Sequence, residues 1–131
     1  MKRYSILLLI LALILCISGC AKTNIDPQAE VTLHFVYGGK DIHAVLQQDE
    51  AESILAILDG NPYDPAFAGV PSCGFHEDIS LQVGEQVFAI ACDSCSYIQD
   101  TGNQKYFSIS DEDMEYIRNL FSHYGGHFPC V

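Results

Sequence analysis

The first 20 residues limit what the rest of this chain can fold into, because they have the layout of a segment that mature proteins lose. Two basic residues precede residues 6–17, which form an unbroken apolar run of 12 residues. Ser18, Gly19 and Cys20 follow the run. This order of positive end, apolar run and small residues predicts an export signal. A transmembrane helix takes roughly 20 apolar residues, so the run is short for a membrane span.

The end of this segment, Ile17-Ser18-Gly19-Cys20, resembles the lipobox of bacterial lipoproteins. In that family the signal is cut just before the cysteine, whose sulfur then carries a diacylglycerol group with acyl chains such as palmitate. The resemblance covers only residues 1–20. It implies a signal peptide over residues 1–19, a lipid on Cys20, and a position on the extracytoplasmic side of the cell membrane. The alternatives are an ordinary cleaved signal without lipid and a short anchor helix that is retained.

Cleavage before Cys20 would leave residues 20–131, which is 112 residues and a typical length for one domain. Residues 20–29 are mostly polar and contain Pro27, so we expect a lipidated cysteine followed by a short tether. Residues 30–131 are then the single folded domain.

The charge of this part of the chain is strongly negative. All 17 acidic residues follow Cys20, against four basic ones, which gives a net charge of −13. Such a surface repels nucleic acid and anionic headgroups, so we expect no nucleic-acid partner. The acidic residues are scattered, which favours a role in solubility. A cationic ligand or an envelope protein is the alternative partner, beside the membrane that the lipid on Cys20 would bind.

Local patterns in the first half predict a hairpin followed by a helix. Residues 30–37 alternate between apolar and polar, and a Gly38-Gly39 turn leads to a second strand over residues 41–46. Apolar residues recur at helical spacing over residues 48–58, and Gly60 ends that helix.

The second half begins with a long loop over residues 60–78, rich in proline and glycine. Further strand patterns cover residues 79–83, 86–92, 97–98 and 105–109. Ser110 is placed to cap a final helix with Asp113 three residues on. Together these elements predict an α+β fold, a two-layer sandwich in which an antiparallel sheet of five or six strands carries two helices on one face.

Four cysteines remain after the lipidated one, and an even number in an exported chain predicts disulfides. The turn at Gly84 and the direction of the last helix suggest two pairings. The first choice is Cys73–Cys130 with Cys92–Cys95, and the second is Cys73–Cys95 with Cys92–Cys130. A redox role for the C-x-x-C pair is disfavoured, because reactive pairs need cationic surroundings and this chain is acidic.

Metal binding is the alternative interpretation of the cysteines. Cys73, His76, Cys92 and Cys95 have the spacing of a zinc site. Outside the membrane, disulfides are favoured, so we expect no cofactor unless zinc takes these four residues. We interpret His34 and His43, one on each strand of the first hairpin, as solvated strand residues.

The chain contains no serine-nucleophile motif, no glycine-rich phosphate loop and no H-E-x-x-H motif. We therefore expect a protein that is not an enzyme.

Several short segments resemble small exported lipoproteins of Gram-positive bacteria that have no assigned function, a resemblance that implies no activity. These segments are Cys73-Gly74-Phe75, Asp93-x-Cys95, residues 105–110 and residues 124–130. The leading hypothesis is a lipid-anchored binding or interaction module, with a zinc-binding lipoprotein or an inhibitor or immunity-type protein as alternatives.

Overall fold

The structure, a computed structural model, describes residues 21–67, 74–125, 127 and 128. In chain order its elements are β1 (Val31–Tyr37), β2 (Lys40–Val45), α1 (Gln48–Leu58), β3 (Phe75–Val83), β4 (Gln86–Ala91), β5 (Tyr97–Asp100), β6 (Lys105–Ser108) and α2 (Asp111–Gly125).

The six strands form one antiparallel sheet in the order β2-β1-β3-β4-β5-β6. Both helices contribute buried side chains to a single core cluster, together with alternate residues of the strands. The predicted two-layer α+β sandwich, with an antiparallel sheet and two helices, is therefore confirmed.

Alternation along the strands decides which face of the sheet meets the helices. Val31, Leu33 and Phe35 of β1 point into the core and are each at most 1% exposed. The helices add Ile54, Leu58, Met114, Ile117 and Phe121, all fully buried. Burying one such side chain stabilises the fold by about 1.5–3 kcal/mol. The opposite side of the sheet, which we call the second face, carries the intervening residues, among them His34, His43 and Ser80.

The first hairpin turns at its glycine pair, as predicted. Gly38 and Gly39 have φ values of 58° and 74°, which suit a two-residue turn that matches the twist of the strands. The turn sets Tyr37 opposite Lys40, and the pairing continues without a bulge to Thr32 and Val45.

The predicted cap of the last helix is present. The amide of Asp113 donates to Ser110 Oγ at 3.0 Å, and Ser110 Oγ donates to Asp113 Oδ2 at 2.7 Å. The Asp113 amide and the Ser110 hydroxyl both have a hydrogen-bond partner in this way, which is typical of a stable helix N-terminus.

Strand β3 is longer than the sequence pattern predicts, because it begins at Phe75 within the predicted loop. Ser80 pairs with Ala89, but Phe75 pairs with Ala91, so the register shifts between them. The shift brings Gly74 beside Cys92, whose amide donates to the Gly74 carbonyl at 2.7 Å. Gly74, within the predicted loop, therefore lies beside Cys92, a position that a regular β3–β4 hairpin would give to a later residue of β3.

Residues 21–25 are packed onto the domain. The amide of Thr23 donates to Asn61 O at 2.9 Å, and the amide of Tyr63 donates to Ala21 O at 3.1 Å. Thr23 and Ile25 are 4% and 6% exposed. The segment expected as a tether thus contributes to the core at this point.

The chain after α1 passes around the outer edge of β6. The amide of Asp64 donates to Tyr106 O at 2.8 Å, which covers part of the edge strand. Tyr63 lies on the helix side, where its hydroxyl donates to Asp100 Oδ2 at 2.6 Å. Phe67 lies on the second face, where its ring stacks on Tyr97 with centroids 4.4 Å apart.

Candidate metal centre

Three side chains of the first hairpin converge on the second face of the sheet. His34 Nε2 lies 2.8 Å from Asp41 Oδ1, and His43 Nε2 lies 3.4 Å from the same oxygen. One ligand atom from each residue can be chosen so that all lie within 4.8 Å of one another. Among the residues that the structure describes, no other group of three or more His, Cys, Asp or Glu side chains converges in this way.

The turn of the hairpin explains why these residues meet. The glycine pair sets Val36 opposite Asp41 and His34 opposite His43. Side chains alternate between faces along a strand, so these four residues project from the second face. Asp41 is therefore diagonal to His34 and two residues from His43, within reach of both.

The histidines occupy the cross-strand position at which side chains approach most closely. The amide of Leu46 donates to Val31 O at 3.0 Å, so that pair is a hydrogen-bonded one. Hydrogen-bonded and non-hydrogen-bonded pairs alternate, which makes His34 and His43 a non-hydrogen-bonded pair with closer side chains. Their rings stack with centroids 4.3 Å apart and planes 10° apart.

The carboxylate of Asp41 is kept in its charged form. The hydrogen bond from His34 lowers the pKa of Asp41 below its ordinary value of 3.8, against the opposing effect of desolvation, and the charges of His43 and His34 add to the lowering. A metal ion that binds here meets an ionised oxygen donor at any pH near neutrality.

All three groups can be reached from solvent. The side chain of His34 is 18% exposed, that of His43 is 52% exposed and that of Asp41 is 64% exposed. An ion can approach from the second face without any opening of the fold, and a position on the ion would remain for water.

The distances fit a small divalent metal. Zinc binds imidazole nitrogen and carboxylate oxygen at about 2.0–2.2 Å, so two tetrahedral ligand atoms lie about 3.4 Å apart. The pair His43 Nε2 and Asp41 Oδ1 already has that separation, 3.4 Å. The pair His34 Nε2 and Asp41 Oδ1 is closer, at 2.8 Å, because a proton now joins the two atoms. In the neutral tautomer with its proton on Nδ1, His34 has Nε2 free to bind metal.

The zinc site predicted from the sequence involves other residues. His76 lies on β3 and is exposed. Cys92 and Cys95 are both disulfide-bonded, and a disulfide sulfur is not a thiolate ligand. Cys73 lies outside the described residues, so the zinc hypothesis for this set remains a prediction that concerns the reduced chain.

Other predicted positions also lie outside the described residues. They are the signal peptide over residues 1–19, the lipidation site Cys20, and Cys130. The pairing of the disulfides therefore stays a prediction. Of the two helices in the described ranges, neither has the length and apolar composition that a membrane span requires.

The cluster of His34, Asp41 and His43 was not predicted, although the sequence contains a signal for it. His43 is exposed as predicted, whereas His34 is more enclosed than a solvated strand residue. A two-residue turn at Gly38-Gly39 fixes the register, and that register alone pairs His34 with His43. Applying the predicted turn to the positions of the histidines would have located the cluster.

Comparison of the chain with protein-family models, with curated proteins and with solved structures gives no match.

Proposed function

We propose that this chain is a lipid-anchored protein of the extracytoplasmic membrane surface that binds a divalent transition metal ion through His34, Asp41 and His43. The observation that carries the metal-binding part is the convergence of two imidazole nitrogens on one carboxylate oxygen, at 2.8 Å and 3.4 Å. The anchoring part is supported by the apolar run and the Ser18-Gly19-Cys20 ending of the first segment.

The ligand set points to a divalent transition metal such as zinc or copper. Imidazole suits zinc, copper and nickel, whereas magnesium and calcium prefer oxygen ligands alone. Two histidines and one carboxylate leave one coordination position for water or for a further ligand. The negative charge of the chain adds a long-range attraction for cations.

Equilibrium dialysis of the purified full chain in detergent against Zn²⁺ and Cu²⁺ tests the metal site. We expect one ion of high affinity per chain. His34→Gln or His43→Gln should each lower the affinity by more than about tenfold, because both remove a direct ligand rather than a supporting group.

Matched histidine variants complete this test. His123→Gln, on the exposed side of α2, should leave binding unchanged. His76→Gln separates the hairpin site from the alternative set of Cys73, His76, Cys92 and Cys95. Loss of binding in His76→Gln, with normal binding in His34→Gln, would overturn the assignment to the hairpin.

Anchoring is tested independently of metal. The intact mass of the protein from membranes should show cleavage before Cys20 and addition of a diacylglycerol group, and Cys20→Ala should release the protein from the membrane fraction. An unmodified Cys20 would contradict the anchor and would leave the metal proposal standing. The interaction-module and inhibitor hypotheses remain predictions that a partner pull-down can examine.

A further inference from the structure

The first described residues fix the place at which a lipid on Cys20 would leave the domain. Three backbone hydrogen bonds hold them: from Thr23 N to Asn61 O, from Gly60 N to Thr23 O, and from Tyr63 N to Ala21 O, at 2.9–3.1 Å. Cys20 directly precedes Ala21 in the sequence, so a lipid on its sulfur would be attached one residue before this held segment.

A buried hydroxyl strengthens this attachment. Thr23 Oγ1 donates to Leu58 O at 2.6 Å and accepts from the amide of Asn61 at 2.8 Å. Further along, the amide of Ile25 donates to Asp59 Oδ1 at 3.0 Å. The segment therefore has several independent contacts with the end of α1 and the loop after it.

The surface around Ala21 has a distinct composition, and we call it the anchor-side surface. Ala21, Tyr63, Asp64, Pro65 and Lys105 line a surface cavity of about 270 Å³. The Lys105 ammonium lies 5.2 Å from the centre of the Tyr63 ring. Lys22 pairs with Pro62 at its border and is exposed.

The charge of this surface differs from that of the rest of the molecule. Lys22 and Lys105 are two of the four basic residues that follow Cys20, in a part of the chain with 17 acidic ones. The carboxylate of Asp64 accepts hydrogen bonds from Tyr97 Oη at 2.9 Å and from the amide of Ala66 at 2.9 Å. Asp100, which accepts from Tyr63, is only 2% exposed. The charged groups here are thus two exposed ammonium groups, of Lys22 and Lys105, against one partly buried carboxylate, of Asp64, so the local balance is positive although the domain as a whole is acidic.

We propose that the anchor-side surface, with Ala21, Lys22, Tyr63, Pro65 and Lys105, rests on the anionic headgroups of the bilayer that holds the lipid on Cys20. This orientation depends on the anchoring proposed above. Lysines near an anionic membrane surface are attracted to it, and tyrosine is enriched at the membrane–water interface. The short connection leaves the domain little freedom to turn another surface to the membrane.

The orientation has a consequence for the metal site. Lys105 begins β6, at one edge of the six-stranded sheet, and His43 lies on β2, at the other edge. Strands lie about 4.8 Å apart, so five spacings separate the edges by about 24 Å. The domain would therefore hold His34, Asp41 and His43 away from the headgroups, toward the surrounding solution.

Nuclear magnetic resonance of the full lipidated chain in nanodiscs tests this orientation. The nanodiscs contain phosphatidylglycerol and phosphatidylcholine, with a trace of lipid that carries chelated gadolinium at its headgroup. Amides of residues 21–23, 63, 64 and 104–106 should lose most of their signal, whereas those of residues 34–43 should keep it. Equal losses across the domain, or losses centred on residues 34–43, would overturn the orientation.

Charge variants and a mass measurement separate the effect of the two lysines from the effect of the lipid anchor. The double variant Lys22→Glu with Lys105→Glu should weaken the pattern, while Lys40→Glu, the same charge change at the exposed hairpin, should preserve it. An unweakened pattern in the double variant would overturn the electrostatic part. The mass of the same sample reports acylation: an acylated chain with uniform losses contradicts the orientation alone, and an unacylated chain contradicts the anchor.

Discussion

The imidazole rings of His34 and His43 lie nearly parallel across the β1–β2 hairpin, with centroids 4.3 Å apart and their Nε2 atoms 2.8 Å and 3.4 Å from one oxygen of Asp41. A proton on either Nε2 atom occupies the electron pair that a metal ion would use. Metal and protons therefore compete for the same two nitrogens.

We predict that metal affinity falls steeply as the solution is acidified. The logarithm of the Zn²⁺ affinity should fall with decreasing pH with a slope of at most about two, because each ligating imidazole exchanges at most one proton for the metal. Competition with a zinc-sensitive dye at a series of pH values measures this slope. An affinity that does not change with pH would exclude the two histidines as ligands.

The free energy of unfolding should respond differently to the removal of two buried hydroxyl groups. Thr23 Oγ1 has hydrogen-bond partners in Leu58 and Asn61, so Thr23→Val should lower the free energy of unfolding by about 1–3 kcal/mol. Ser80 Oγ is buried and has no hydrogen-bond partner among the described residues, so Ser80→Ala should leave that free energy unchanged or raise it. Urea unfolding measures both. A strongly destabilised Ser80→Ala would show that this hydroxyl is satisfied in solution.

A methyl group on the last residue of α2 should disturb the core. A Cβ placed on Gly125 would lie 2.5 Å from Cζ of Phe35, a fully buried ring. Gly125→Ala should therefore lower the free energy of unfolding by about 1–3 kcal/mol. Gly102→Ala is the matched control, because its Cβ would meet only Asp100 Oδ1 at 3.7 Å. Equal thermal midpoints for the two variants would contradict the predicted overlap.

The phenol of Tyr63 should make the fold sensitive to alkali. Burial first, and then the hydrogen bond to Asp100, raise the pKa of Tyr63 from 10.0 to about 12. The folded chain thus holds this proton more tightly than the unfolded chain. The stabilisation is fully present below pH 10 and is lost as the pH rises toward 12, the folded-state value.

Tyr63→Phe provides the test of this interpretation. The variant should be less stable at neutral pH by about 1–3 kcal/mol, because Asp100 loses a donor. It should also show a smaller loss of stability between pH 10 and pH 12 than the parent chain. Tyr97 and Tyr124, whose pKa values are also raised, should supply the remaining alkaline loss with the same sign. Identical alkaline profiles would rule out Tyr63 as a contributor.

Reduction should destabilise the domain, because Cys92 and Cys95 are disulfide-bonded. We expect a loss of about 2–4 kcal/mol per bond in urea unfolding with a reductant. A protease that cleaves before aspartate places each of the four cysteines of the domain in a different peptide. The cuts that separate them are those before Asp64, Asp78, Asp93 and Asp113. Mass spectra of the unreduced digest then identify the pairing. Free thiols throughout would contradict the disulfides and favour the zinc alternative.

Local sequence patterns predicted most of the secondary structure. The helix over residues 48–58, the Gly38-Gly39 turn and the Ser110 cap are all present as predicted. Each depends on interactions between residues close in the chain: apolar spacing, the positive φ of glycine, and a hydroxyl beside a free amide. Such features can be recognised without knowledge of the rest of the fold.

Features that depend on distant residues were not predicted. The extension of β3 to Phe75 needs a register shift against β4, and the packing of Thr23 needs the end of α1. Neither leaves a periodic pattern at its own position in the sequence. Residues 21–25 appear polar and extended, and only their partners around residue 60 make them part of the core.

The candidate metal site likewise depends partly on local sequence and partly on the tertiary structure. The sequence by itself determined the hairpin, the alternation of its side chains, and therefore that His34 and His43 share one face. The tertiary structure decided that both rings turn toward Asp41 and that this face of β1 and β2 remains accessible, with Asp41 64% exposed. It also set His43 on β2 and Lys105 on β6 at opposite edges of the sheet, because strand order is fixed by long-range packing that no local pattern encodes.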